Sequence, residues 1–159
     1  VGAMAAVRSV SQVGARLSTP IPAISIQRQC QHFLYDDRCR VDRASFDVAT
    51  TVSSVSGYNV TVASVGGNPD DWFKAGEIVR ASDGERRTIV GNAGAVLSLI
   101  APFATLNATD NVTLYAGCAH TVEVCRDKFS NVLNYGGHAQ IPSSNPFDVP
   151  LTRLTLRGL

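Results

Sequence analysis

Short runs of alternating apolar and polar residues dominate the middle of the chain. In Asn59-Val60-Thr61-Val62 a valine occupies every second position, the pattern of a strand with one buried and one wet face. The same texture, rich in Val, Ile, Thr and Leu, recurs over residues 45–54, 59–64, 76–81, 86–90, 95–100 and 111–115. Turn formers separate the runs: Ser56-Gly57, Gly66-Gly67-Asn68-Pro69, Ser82-Asp83-Gly84, Gly91-Asn92-Ala93-Gly94 and residues 107–110. Short strands at such regular spacing predict a mainly β chain, a small antiparallel barrel or sandwich of about six strands.

The pattern changes on either side of this module. Residues 23–43 are polar and carry Cys30 and Cys39. Beyond Gly117 come Cys118 and Cys125, and Val122, Cys125, Phe129, Val132 and Leu133 recur at helical spacing. One short helix is predicted near residues 121–133, closed by Asn134-Tyr135-Gly136-Gly137. The chain thus divides into an N-terminal arm (1–22), a cysteine-bearing core split between 23–43 and 118–147, an inserted β module (44–117) and a tail (148–159). Residues 151–156 of the tail alternate again, and either add a strand to a partner's sheet or complete the chain's own.

Composition narrows the classes. Of 159 residues 45% are hydrophobic and 17% charged, too apolar for a disordered chain. Lys and Arg total 14 against 13 Asp and Glu, so a net charge of +1 gives no general nucleic-acid footprint. The longest apolar run, 93–104, is interrupted by Gly94, Ser98 and Pro102 and falls short of a membrane span. Arg8 and Arg16 break every candidate apolar stretch near the N-terminus, so no secretion signal is read there. The scarcity of charge suits a protein packed among neighbours.

Cysteine spacing leaves several chemistries open. The pairs are C-x8-C and C-x6-C, whereas a zinc finger or ribbon brings its thiolates close with C-x2–4-C. Two disulfides need an oxidising compartment. Four separate buried thiols are ordinary core residues, and an iron–sulfur cluster takes four thiolates without the usual C-x2-C-x2-C run. Other candidates are weak. His32, His120 and His138 lie near the cysteines, where a surface or capping role is the commoner one. Cys118-Ala119-His120 is too local for a nucleophile–base pair. The Gly-rich breaks lack the Lys of a phosphate loop. Asp36-Asp37 and Asp70-Asp71 lack the ligand spacing of a Ca²⁺ loop and read as turn or capping residues. The sequons at Asn59, Asn107 and Asn111 are the kind that arise by chance in Thr-rich strands.

Residues 118–147 read C-A-H-T-V-E-V-C-R-D-K-F-S-N-V-L-N-Y-G-G-H-A-Q-I-P-S-S-N-P-F. This segment resembles the C-terminal region of tail-tip hub, or minor tail, proteins of tailed phages and gene transfer agents. Their pattern is two cysteines at the C-x6-C spacing, then Lys/Arg-Phe-x-Asn-x-x-Asn-Phe-Gly-Gly and a Pro-Gly loop. Residues 8–12, the Cys30/Cys39 pair and Asp71-Trp72-Phe73-Lys74-Ala75-Gly76 extend the likeness over residues 7–147. The resemblance implies a non-enzymatic virion protein of the tail tip or baseplate hub, assembled in the bacterial host cytoplasm. It implies a homotrimer among hub, distal tail and fibre-bearing subunits, with no direct nucleic-acid role and no stable membrane insertion.

In the lambda-type members of this group four cysteines hold a [4Fe–4S] cluster, and the resemblance carries that role to Cys30, Cys39, Cys118 and Cys125. Phe129, Asn131, Asn134, Gly136 and Gly137 become a structural motif. The two asparagines are expected to bond backbone at the helix end, and the glycines to permit φ > 0 or a close approach to the cluster. The sequence departs from the pattern at Arg40, where Gly often follows the second cysteine, and at Tyr135 and His138, where Phe is frequent. Two other readings remain: a small iron–sulfur electron-transfer or redox-sensing protein, and a secreted disulfide-stapled β domain.

Overall fold

The computed structural model describes residues 26–142; the predicted N-terminal arm and the tail lie outside them. Six strands close into an antiparallel barrel: β1 (Asp47–Ser56), β2 (Asn59–Val62), β3 (Glu77–Arg80), β4 (Arg86–Ala93), β5 (Val96–Leu99) and β6 (Asn111–Tyr115). Their order around the barrel is β1-β2-β5-β4-β3-β6, with β6 pairing back onto β1. This is the mainly β architecture that the alternation predicts. Register follows burial. Val60 faces Leu97 and Ile78 faces Leu114, and these four side chains point into the core with Val52, Val62, Ile89 and Val112. Phe73, from the loop between β2 and β3, is wholly buried among them.

The two longest strands make the corners. β1 pairs with β6 over 47–51 and with β2 over 52–56, and its register shifts between Val52 and Ser54. β4 pairs first with β3 and then with β5, shifting between Ile89 and Gly91. A bulge bends a strand and lets it pass from one sheet to the next. The sequence-based break at Gly91-Asn92-Ala93-Gly94 is therefore too early: β4 continues to Ala93, and the turn is Gly94-Ala95, with Gly94 at φ +51. Asn92 is a buried strand residue whose side chain holds the β2–β3 loop. Its Oδ1 accepts the Phe73 N–H at 3.0 Å, and Asp71 N–H donates to its carbonyl. At the other end, β1 starts at Asp47 because Arg43–Phe46 forms a 3-10 turn, capped by the Asp42 carboxylate on the Ala44 N–H.

Arg80 is the one charged side chain buried within the described barrel. Its guanidinium reaches Asp83, Glu85 at 2.8 Å, and both the carbonyl and hydroxyl oxygens of Thr105. The Arg80 hydrogen bond, helped by the Glu85 N–H, holds the Asp83 carboxyl at about 2, below its ordinary 3.8. A carboxyl lowered in the folded state stabilises it above the unfolded pKa, and that contribution is lost as pH falls through the folded one. The thermal midpoint should therefore fall between about pH 4 and pH 2, and fall less steeply there in Asp83→Asn. Equal slopes in the two proteins would remove Asp83 as the acid-sensitive group.

Candidate functional site

Below the barrel, the chain segments before β1 and after β6 are laced together. The Cys30 N–H donates to His120 O at 2.8 Å, Gln31 N–H to Gly136 O at 3.4 Å, and His138 N–H to Gln27 O at 3.0 Å. The Tyr135 hydroxyl donates to Arg28 O at 2.7 Å. A second apolar cluster fills the space between them: Cys39, Val41, Ala116 and Phe129, with Leu34, Phe46, Trp72 and Val124 packed against it. Phe46 and Phe129 meet edge to face at 4.8 Å. Trp72 packs on both this cluster and the barrel core, joining the two.

The four cysteines are free thiols and all line one cavity, together with His32, Leu34, Val41, His120 and Phe129. The cavity they enclose is small, about 10 Å³. Cys39 and Cys125 are buried, and Cys30 and Cys118 half-buried. Backbone donors point at sulfur: Gly136 N–H at Cys30 Sγ and His120 N–H at Cys118 Sγ, each at 3.3 Å. Burial pushes the Cys125 thiol up to about 11, and the other three sulfurs add to the rise. Cys118 is also raised by burial, against the pull of the His120 N–H. Among the described residues no group of three or more His, Cys, Asp or Glu side chains is placed to hold a single metal ion.

Tight backbone turns aim these sulfurs. Arg40 has φ +59 and His120 φ +59, so each residue lies in the left-handed region just past a cysteine. That conformation is easiest for glycine. At position 40 it is adopted by an arginine. Asp36 does turn duty as expected, its carboxylate accepting the N–H groups of Arg38 and Cys39. Asp70 likewise accepts the Gly94 N–H, at 2.6 Å.

The motif residues are placed differently from expectation in three respects. First, the helix α1 spans only Val122–Asp127, capped by Thr121 Oγ1 on the Val124 N–H. Ser130, at φ +49, turns the chain out of it, and a 3-10 turn follows at Val132–Asn134. Cys125 and Phe129 are buried as predicted, but Val132 and Leu133 point outward, Leu133 fully exposed. Second, Asn131 and Asn134 do not cap that helix. The Asn131 carboxamide crosses to the other flank and donates to Cys39 O, while accepting from Asn134 Nδ2 at 2.6 Å. Third, neither Gly136 nor Gly137 has positive φ among the described glycines. A Cβ on Gly136 would lie 2.5 Å from the His32 ring, and one on Gly137 2.5 Å from Arg28 O. Their smallness admits the N-terminal flank.

Lys128 is a residue that sequence patterning passed over. Its ammonium donates to Gly117 O at 2.7 Å and to Trp72 O, and lies 4.4 Å from the centre of the Trp72 ring. Burial lowers it to about 8, with the Cys118 charge acting in the opposite direction. Only its position ahead of the Phe129 motif gave a signal. His32 is seated by its Nδ1 against Asn134 O at 3.1 Å, a structural role.

Residues 71–145 match the model of a family described as "Phage conserved hypothetical protein BR0599". That span begins in the loop before β3 and contains Cys118 and Cys125, but not Cys30 or Cys39. No curated protein matches the chain. Among solved structures it is similar to a chain of "Virion of native gene transfer agent (GTA) particle", with a TM-score of 0.65 and 24% identity. The likeness covers 92% of this chain and 54% of that one, so the chain spans about half the length of that relative and shares its fold.

Proposed function

We propose that this chain is a structural component of the tail tip of a phage or phage-like particle, with Cys30, Cys39, Cys118 and Cys125 as ligands of a [4Fe–4S] cluster. The observation that carries the cysteine assignment is the meeting of four free thiols, two from each flank, around one cavity. The donor set fits such a group. The acidic side chains stay out of the lining, N–H groups face two of the sulfurs, and Leu34, Val41 and Phe129 limit water. All four line the same cavity, and among the described residues no three are placed for a single ion, which suits a ligand that takes each thiolate at a separate iron. When bound, the cluster supplies Fe–thiolate bonds that crosslink the two flanks. The particle role draws support from the family match over residues 71–145 and from the fold shared with a gene-transfer-agent virion chain. Its partners in this reading are hub, distal tail and fibre-bearing subunits around a threefold ring of this chain.

Protein purified without oxygen should be brown, absorb broadly near ~400 nm and carry about four irons per chain. Colourless protein with four titratable thiols would overturn the cofactor. Particles produced with Cys125→Ser in place of the wild type should fail to assemble tails. Normal, infective or DNA-delivering particles from that variant would overturn the structural role.

A further inference from the structure

Asn131 touches both cysteine flanks at once. Its backbone N–H donates to Cys125 O at 2.9 Å, and the Cys125 thiol donates to the Asn131 carbonyl at 3.2 Å. Its side-chain Nδ2 donates across to Cys39 O, with Cys39 Sγ at 3.9 Å from the same nitrogen. The carboxamide cannot turn over, because Oδ1 is taken by the Asn134 Nδ2 donor and a flipped amide would set oxygen against Cys39 O. Asn134 is fixed in turn through its carbonyl by His32 Nδ1. One residue therefore grips a cysteine from each half of the split core, at a sequence separation of 92 for the side-chain bond.

From this geometry we infer that Asn131 is the positioning residue of the thiol cavity, setting Cys39 relative to Cys125 and supplying an N–H donor on the Cys39 side. It is not a ligand. With Gly136 N–H at Cys30 and His120 N–H at Cys118, donors then face three of the four sulfurs, the arrangement that stabilises thiolates bound to iron. This inference rests on the cluster reading for its iron chemistry, and on the contacts alone for its effect on Cys39. Asn131→Asp keeps the shape but replaces the donor by an acceptor that faces Cys39 O. Asn131→Ala removes both contacts. Asn134→Ala leaves Cys39 untouched and frees the amide to rotate, so it should give a weaker form of the same effect and serves if the other two do not fold.

Two measurements test it. In the loaded protein, iron release to a chelator should be about 10–100-fold faster in Asn131→Ala and Asn131→Asp, the range usual for loss of a group that orients a metal ligand. In the apoprotein, alkylation of Cys39 by iodoacetamide, followed by mass spectrometry, should quicken about tenfold or more, as local opening becomes easier without the buried hydrogen bond, while that of Cys30 is unchanged. Hydrogen exchange of the barrel amides should stay at wild-type rates, which separates a local effect from unfolding. Wild-type iron retention together with wild-type Cys39 protection in the variants would overturn the inference. Wild-type protein that takes up no iron would overturn the cluster instead, and the alkylation rates would still decide the role of Asn131.

Discussion

Gly117→Ala should yield no folded protein. A Cβ at this position would lie 1.8 Å from Lys74 O and 2.3 Å from the Gly76 nitrogen, both backbone atoms. Gly76 has the same problem in reverse, its Cβ falling 2.1 Å from Tyr115 O. The two glycines let the β2–β3 loop cross the end of β6, where Gly117 N–H reaches Trp72 O at 3.4 Å and the Lys128 ammonium ties Gly117 and Trp72 carbonyls together. No rotamer relieves a clash with main chain. Making room means moving the loop that carries Phe73 into the core. The cost should exceed about 4–5 kcal/mol, a large part of the stability of an ordinary domain. Gly84→Ala is the control: φ is +73 there but nothing lies within 4 Å of the added carbon. It should cost about 1–2 kcal/mol, the left-handed backbone strain alone. Circular dichroism and urea unfolding of both variants decide the point. A cooperatively folded Gly117→Ala protein would mean that the crossing is looser than described.

Phe129→Ala is the second large effect, and it separates the cysteine region from the barrel. The ring is 7% exposed, meets Phe46 edge to face, and packs with Cys39, Val41 and Ala116. Truncating a buried Phe leaves a cavity and costs about 3–5 kcal/mol. Leu133→Ala, on the face that the helical stripe had assigned to the core, should change stability by less than about 0.5 kcal/mol because that side chain is fully exposed. Urea unfolding gives both values, and hydrogen exchange should show protection lost at residues 28–41 and 118–136 in Phe129→Ala before the barrel strands. Equal costs for the two variants would restore a helix running through residue 133.

The barrel was legible because burial on one face of a strand writes a period of two into the sequence. Each of the six strands overlaps one of the runs rich in Val, Ile, Thr and Leu, and the hairpin turns lie at Gly57, Gly84 and Gly94. The misplaced break at Gly91-Asn92 has a physical origin. A bulge glycine and a buried, fully used asparagine look in sequence like a turn, because both are the residues that turns also require. The four cysteines could be singled out from spacing and resemblance, but not their common cavity, which depends on backbone ties between segments far apart in the chain. The roles of Asn131, Gly136 and Lys128 were illegible for the same reason. Each is defined by a partner on another segment: Cys39, the His32 ring and the Trp72 carbonyl. Local reasoning could offer only helix capping for the asparagines and positive φ or a close approach for the glycines.

The pairing of Asp47 with Tyr115 has a consequence for the cysteines. Once the barrel has closed, its first and last strand residues stand one strand spacing apart, about 5 Å. The long chain between Cys39 and Cys118 then counts, for the cysteines, as little more than a tight hairpin loop. Their effective concentration toward one another rises from that of a loose loop to that of a preassembled pair. The closed barrel thus serves the thiols as a template: its valine and leucine core holds the ends of the two flanks side by side.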